Sequence, residues 1–515
     1  MDARVGHSGE NVMDSYKKLC EAIAPIIQLQ SAMQIVHWDM LTMIPPRGLQ
    51  QRADQLAIMN KILHQMITDP NVGKMLVDAE SNIHSLDGTQ QREVELIRRN
   101  WEINTAVPEK LVSEKAKQTA IATSKWRKAK NEYDWSIFLP ELEKLLDLSK
   151  QSAELLMKPT NSDNPYGAML SINEPGLSSK EVTKVFNELR SNLVPLVRKF
   201  ENACRDIRTD FTKLKVPINI QRRLVTDLVN YVGFDTITEN AGGRVDESEH
   251  PFTSSFFDDT RMTIHYYENN IHQAIFGGLH EAGHSIQGQS RNPDWKWMAL
   301  GEKCSAGINE SQAKCVENII GRSFEFWNGY YERFQEITEG IFHDVSIEEF
   351  VRAANLVKPT KIRVTADEMT YSLHIIIRYE IEQALFSDSM EPKDIPQVWN
   401  EKYEKYLGVE IENDAEGALQ DTHWAWAYWG YFPTYTLGNI YSGMILHTLN
   451  KEIPNWKQDL ANGSVDTPIN WLKTNVHFLA NRYDPSEMLE KITGMKLTAQ
   501  PFLDYLEGKY ASLFL

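Results

Sequence analysis

Apolar residues recur at intervals of three and four along most of the chain, which predicts a fold built mainly of α-helices. From Asp134 onward, Leu142, Leu145, Leu146, Ala153 and Leu156 share one helical face. Ser178 followed by Glu181 forms a capping box ahead of Val182, Val185, Phe186, Leu189 and Leu193, the mark of a helix start. Residues up to 230 therefore read as a helical array. Strand signals are few. The best is Arg261 to Tyr267, rich in β-branched and aromatic residues and preceded by the turn residues Asp258 and Asp259. Residues 231 to 255 are rich in Gly, Thr and Asp and read as irregular chain. With no internal repeat and no Pro-rich linker, residues 1–515 are expected to form a single domain of two joined lobes. The first is helical and spans about 1–230; the second spans about 231–515 and carries a small sheet.

Residues 271–289, IHQAIFGGLHEAGHSIQGQ, hold the densest chemistry. Ile271, Ile275, Leu279, Ala282 and Ile286 form a core-facing stripe, so the segment is predicted to be a helix. His280 and His284 are four residues apart, which puts two imidazoles one turn apart on the same side, as a metal needs. Glu281 is offset by about 100° of helix rotation, where it can take a proton from metal-bound water. An isolated HExxH also arises by chance, and two helix histidines can be satisfied core or surface residues. A third ligand on another helix decides between these readings. Glu310 opens ESQAKCVENIIGRSFEFW, 26 residues after His284, with Ala313, Val316, Ile320 and Phe324 at core-facing spacing. Glu302 and Glu317 also satisfy the spacing, Glu317 standing two turns further along the helix of Glu310.

Composition narrows the partners and the compartment. The chain carries 54 basic and 71 acidic side chains, a formal charge of −17, and neither sign runs in a block. Nucleic acid and anionic membrane both reward clustered Lys and Arg, so neither is expected as a partner. The opening MDARVGHSGENVMDSYKK lacks the apolar run of a secretory signal, and no charge-free apolar stretch reads as a membrane span. A cytoplasmic location follows as the expectation. Cys20, Cys204, Cys304 and Cys315 lack CxxC spacing and are expected to be buried free thiols. The N-x-S sequon at Asn309 adjoins the candidate ligand Glu310, where a glycan would be intolerable.

Further motifs run in order through the sequence. They are HWDMLTMIPPRG near residue 37, HPFTSSF at 250–256, Asp259, Arg261 and Thr263 as D-x-R-x-T, and HEAGH. After them come ESQ at 310–312, IRVTAD at 362–367, G-x-x-Q-D-x-H-W at 417–424 and GYFPTYTLGN at 430–439. In these stretches the chain resembles the thermostable, Taq-type metallocarboxypeptidases. That family shares an α-helical fold with a deep substrate cleft with the angiotensin-converting-enzyme and thimet-oligopeptidase group. The resemblance implies removal of single amino acids from peptides with free C-termini, by a homodimer using one divalent metal per chain, zinc or sometimes cobalt. It carries His423, Tyr431 and Tyr435 over as donors to the developing oxyanion. Arg363 becomes the candidate for the substrate's terminal carboxylate, a group that a guanidinium can grip with two bonds. Arg261, with Asp259 and Thr263, is implied to hold substrate, and the strand 261–267 reads as an edge that could pair with the substrate backbone. One departure stands out: Asn309 occupies the place before the third ligand where the family has histidine.

Two other functions fit parts of this pattern. An HExxH oligopeptidase or endopeptidase would use the same metal group in an open-ended cleft. A non-enzymatic peptide-binding scaffold predicts loss of a ligand or of the base, yet His280, Glu281, His284 and Glu310 are all present.

Overall fold

The structure, a computed structural model, describes residues 6–81 and 83–515. Helices dominate, as the periodicity predicts. Helices α1 (Gly6–Thr42), α2 (Pro70–Glu80) and α3 (Gly88–Ala106) come first. They enclose a small core in which Leu19, Ile23, Ile26 and Ile27 meet Val72, Leu76, Val94 and Ile97. Asp14–Thr42 of α1 is long and apolar enough to cross a membrane, contrary to the reading that no stretch is. In the fold this helix instead packs into the small core and lines a cavity through Ile23, Ile26, Ile27 and Met33.

The larger core draws on residues from Ala122 to Tyr510. It is built by α4 (Leu139–Leu156), α5 (Ser179–Ala203), α6 (Ile218–Tyr231) and the later helices. The Ser178 capping box forms as predicted: Ser178 Oγ accepts from the Glu181 N–H at 3.2 Å, and Glu181 returns the bond to the Ser178 N–H at 3.0 Å. Among the described residues all four cysteines are free, three buried and Cys20 half-buried.

The sheet is larger than the sequence reading. Strands β1 (Gly243–Glu247), β2 (Thr253–Phe256) and β3 (Asp259–Ile264) lie in the order β1-β3-β2. β1 runs parallel to β3 with Gly243 beside Thr260, and β2 runs antiparallel with Thr253 beside Met262. Two of these strands lie within the segment read as irregular, because their short polar stretches lack an alternating apolar pattern. The predicted strand is the central one. Its backbone is paired on both sides, so β2 takes the place of the edge that faces the cavity.

After the sheet come α7 (Ile271–Gln289), α8 (Ala306–Lys314), α9 (Glu368–Phe386), α10 (Phe432–Glu452) and α11 (Gln500–Phe514). Two glycines bring three of these helices together. A Cβ on Gly283 of α7 would lie 2.7 Å from Ala313 Cα and from the Gln312 carbonyl of α8. On Gly438 of α10 it would lie 2.6 Å from Glu310 Cγ. Only hydrogen at these positions lets the backbones approach so closely. Gly283→Ala is therefore expected to destabilise the protein by about 1–3 kcal/mol through overpacking and to loosen metal retention. Gly277, on the same helix with nothing within 4 Å of an added Cβ, is the control: Gly277→Ala should leave the melting temperature unchanged or raise it. Thermal unfolding and metal analysis of both variants check this.

Candidate metal centre

Helix α7 begins at Asn270, whose side chain accepts from the Gln273 N–H at 3.3 Å, and buries Ile275, Leu279, Ala282 and Ile286. Burial of that stripe fixes the helix rotation, which turns His280 and His284 toward α8 with ring centroids 4.9 Å apart. Helix α8 is capped by Ser305, whose Oγ accepts from the Ile308 N–H at 3.0 Å. Glu174 holds the start of the same helix, accepting from the Gly307 N–H and, at 3.1 Å, from the Tyr441 hydroxyl. So fixed, α8 delivers Glu310 Oε2 to 3.9 Å from His280 Nε2 and 3.7 Å from His284 Nε2. The three ligand atoms lie within 4.8 Å of one another, and this is the metal-ligating cluster found among the described residues. Glu302 stands elsewhere in the cavity wall.

The other imidazole nitrogens are occupied. Glu317 Oε2 lies 3.0 Å from His280 Nδ1, in a π-helical turn, Cys315–Ile320, that follows α8. Glu317 also pairs with Lys314 and Arg322, each at 3.1 Å. Despite its burial, the neighbouring Lys314 and His280 hold its carboxyl well below the usual carboxylate range. Asn309 Nδ2 lies 3.0 Å from His284 Nδ1. A half-turn of that amide presents its oxygen to an Nδ1–H, the tautomer in which Nε2 is free to ligate. Burial, with His280 alongside, pushes His284 down to about 3, so it stays a neutral imidazole. Burial and Lys314 oppose a charge on His280, but Glu310 and Glu317 outweigh them and raise it. Two imidazoles with free Nε2 atoms, one carboxylate and fixed Nδ1 partners fit a divalent metal with an open fourth position.

Glu281 faces the same cavity, a cleft of about 1150 Å³. Its Oε2 accepts from Thr253 Oγ1 of β2 at 2.6 Å, and burial raises its pKa, which suits a proton acceptor.

The late motifs assemble at one side of this centre. Tyr431 and Tyr435 line the cavity with rings 5.4 Å apart, while His423 stands behind them with Nε2 3.3 Å from the Tyr435 hydroxyl. Burial raises Tyr431 to about 12 and holds Tyr435 well above its ordinary value, so both keep their protons; it lowers His423 to about 3. Arg363 is buried beneath them. Its Nε and Nη2 donate to Asp421 Oδ1 at 3.0 and 2.8 Å, and its Nη1 donates to the Tyr371 hydroxyl at 3.0 Å. Arg378 binds the other oxygen of Asp421 at 2.6 Å. Two guanidiniums thus share the Asp421 carboxylate behind the two tyrosines.

Asp259, Arg261 and Thr263 sit apart from this group. Arg261 pairs with Asp259 at 2.7 and 2.9 Å and stacks on Trp38 with its guanidinium 4.8 Å from the ring. Buried Thr263 binds the Phe252 N–H through Oγ1 at 3.0 Å and so straps the approach to β2. Sequence reasoning left Asp421, Tyr371, Lys314 and Glu382 unassigned. Glu382 accepts from Trp424 Nε1 and Tyr166 at 2.9 Å and from the Gly430 N–H at 3.0 Å, pinning the loop that carries His423. Asp421 stands inside the Q-D-x-H-W motif and was legible there; Tyr371 and Glu382 carry no local signal.

An HExxH helix, a glutamate brought to it by a second helix and a buried glutamate facing the cleft are the arrangement of a metallopeptidase on a helical fold. The chain belongs to the carboxypeptidase Taq (M32) metallopeptidase family, whose family model matches residues 18–510. It is 36% identical over 509 residues to thermostable carboxypeptidase 1 of Thermus thermophilus, covering 97% of this chain and 99% of that protein. Carboxypeptidase 1 of Bacillus subtilis is 34% identical over 500 residues, with 97% and 98% covered. The crystal structure of an M32 carboxypeptidase from Deinococcus radiodurans superposes with a TM-score of 0.93 at 32% identity, covering 97% of this chain and 99% of that one.

Replacing His280, His284 or Glu310 by Ala should strip metal and activity together, whereas Glu281→Gln should keep the metal and lose turnover by several orders of magnitude. Glu317→Gln should retain the site but weaken metal binding by about 10–100-fold. Metal content by elemental analysis, set beside turnover, separates these outcomes.

Proposed function

We propose that this metallocarboxypeptidase uses zinc, with cobalt as an alternative, and that the residues around the metal divide the reaction as follows. His280, His284 and Glu310 would hold the metal, which when bound would supply Lewis acidity at the scissile carbonyl and activate a water at neutral pH. Glu281 accepts that water's proton and passes it to the leaving amine, held in place by the Thr253 hydroxyl. Tyr431 and Tyr435, protonated at the cavity wall, donate to the oxyanion as it forms, and His423 supports Tyr435 from behind. The free edge of β2 pairs with the substrate backbone.

Arg363 receives the terminal carboxylate. The observation that carries this assignment is the arrangement of charge: Arg363 and Arg378 both pair with the Asp421 carboxylate, while Glu382 meets Arg378 only through space and is raised to about 7 by burial, so an incoming carboxylate adds a negative partner. An endopeptidase has no use for such a site. A homodimer belongs to the same proposal on the family resemblance, and a cytoplasmic setting on that resemblance and the four free thiols.

A two-by-two comparison tests the assignment of Arg363. On free-acid peptides Arg363→Ala should lower kcat/KM by roughly 10²-fold or more, because the carboxylate is left buried without its partner. C-amidated peptides should be poor substrates of the wild type and nearly insensitive to the change. Equal losses on both peptide types would move carboxylate recognition to another residue.

A further inference from the structure

At the other end of the cleft stands a cation with no hydrogen-bonded partner among the described residues. Lys303 lies in the wall of the same cavity as His280, Glu281 and Glu310, with its side chain exposed to that space. The other basic side chains of this region are occupied. Arg99 is bound by Asp484 at 2.7 and 2.8 Å. Arg291 donates to the carbonyls of Gly301, Gly288 and Ser255 at 2.7, 3.2 and 3.2 Å. Lys303 interacts with Glu302, Arg291 and Glu174 only through space, and among the described residues no hydrogen-bonded partner holds it. Two of these four groups are cations and two are acids, but burial raises Glu174 to about 7 and so weakens its charge, which leaves Glu302 facing Lys303 and Arg291. Enclosure by the walls disfavours the ammonium and lowers its pKa, which an incoming anion would reverse.

Helix α8 fixes where this cation meets the substrate. Lys303 precedes its first turn, Glu310 sits within it, and Lys314 ends it with its ammonium 5.3 Å from the ring of Tyr371, the partner of Arg363. Lys303 and the Arg363 cluster therefore lie on opposite sides of the metal ligands. β2 agrees with this direction: Thr253 binds Glu281, while the carbonyl of Ser255, two residues on, is held by Arg291, which also holds Gly301. If the substrate's C-terminus lies toward Arg363, its upstream residues pass Lys303. Only Ala306–Glu310 of this stretch is helical, rising about 6 Å, and Lys303 stands three residues ahead of the helix, near enough for its charge to act on His284. An extended substrate advances about 3.3 Å per residue and the lysine reaches back toward the metal, so contact falls one or two residues upstream of the scissile bond.

We propose that Lys303 is a specificity-determining residue that selects peptides bearing a side-chain carboxylate, Asp or Glu, one or two residues upstream of the scissile bond. This rests on the carboxypeptidase reading and on the orientation set by Arg363, and it adds a preference that the reaction itself does not require.

The test uses the intact metal-loaded protein and N-acetylated peptides that share one C-terminal residue and carry Glu, Gln or Lys at the first or second upstream position. Wild type should favour Glu over Gln by about five- to tenfold in kcat/KM, mainly through KM, with Lys poorest. The preference should shrink as salt is raised. Lys303→Met should bring the ratio of Glu to Gln close to one, and Lys303→Glu should reverse the order so that Lys is favoured. Equal rates for Glu and Gln in wild type at both positions, or a preference that survives in both variants, would overturn the inference. The Gln peptides and their amidated counterparts report separately on the underlying reading. Release of the free amino acid without acid preference sinks the role of Lys303 alone, whereas no release from any free-acid peptide sinks both.

Discussion

The rest of the site depends on burying the Glu310 carboxylate against two imidazoles, at 3.7 and 3.9 Å. A buried carboxylate is costly unless charge and hydrogen bonds surround it. Lys314, one turn on at 3.4 Å, supplies part of that compensation, and the metal the rest. The approach is possible because Gly283 and Gly438 remove side chains where α7, α8 and α10 would collide. The chemistry and the packing are thus one constraint: a methyl group at either glycine would push Glu310 away from its partners.

Around that centre, charge is arranged asymmetrically. Glu317 gathers His280, Lys314 and Arg322 on one side of the centre, which orients the first imidazole and, together with Glu310 on Lys314, offsets the two cations. Beneath Tyr431 and Tyr435, Asp421 is shared by Arg363 and Arg378. Asn309 gives His284 an amide partner at Nδ1.

How much was legible followed from the distance over which each feature is encoded. Helix α7 was read with both ends correct because its stripe, its two histidines and its base all lie within one element. The Ser178 capping box is equally local. The sheet is less legible: β3 shows in its β-branched residues, although it ends at Ile264, before the aromatics Tyr266 and Tyr267, while β1 and β2 are short, polar and defined by their pairing with β3. The edge that faces the cleft therefore changed strand. Arg261 likewise lies in a matched motif yet stacks on Trp38, far along the chain.

The sequence by itself determined that two imidazoles and a carboxylate share one helical turn, since a period of 3.6 residues fixes that relation wherever the helix packs. It also narrowed the third ligand to a few acids. Only the tertiary structure decided that Glu310 joins the cluster while Glu317 backs His280 and Glu302 lines the cleft, because the choice depends on how closely α8 crosses α7 and on the π-helical turn after it. The pairing of Arg363 and the freedom of Lys303 were decided there too. Each is a balance of charges drawn from segments distant in sequence, and no local pattern records which of them meet.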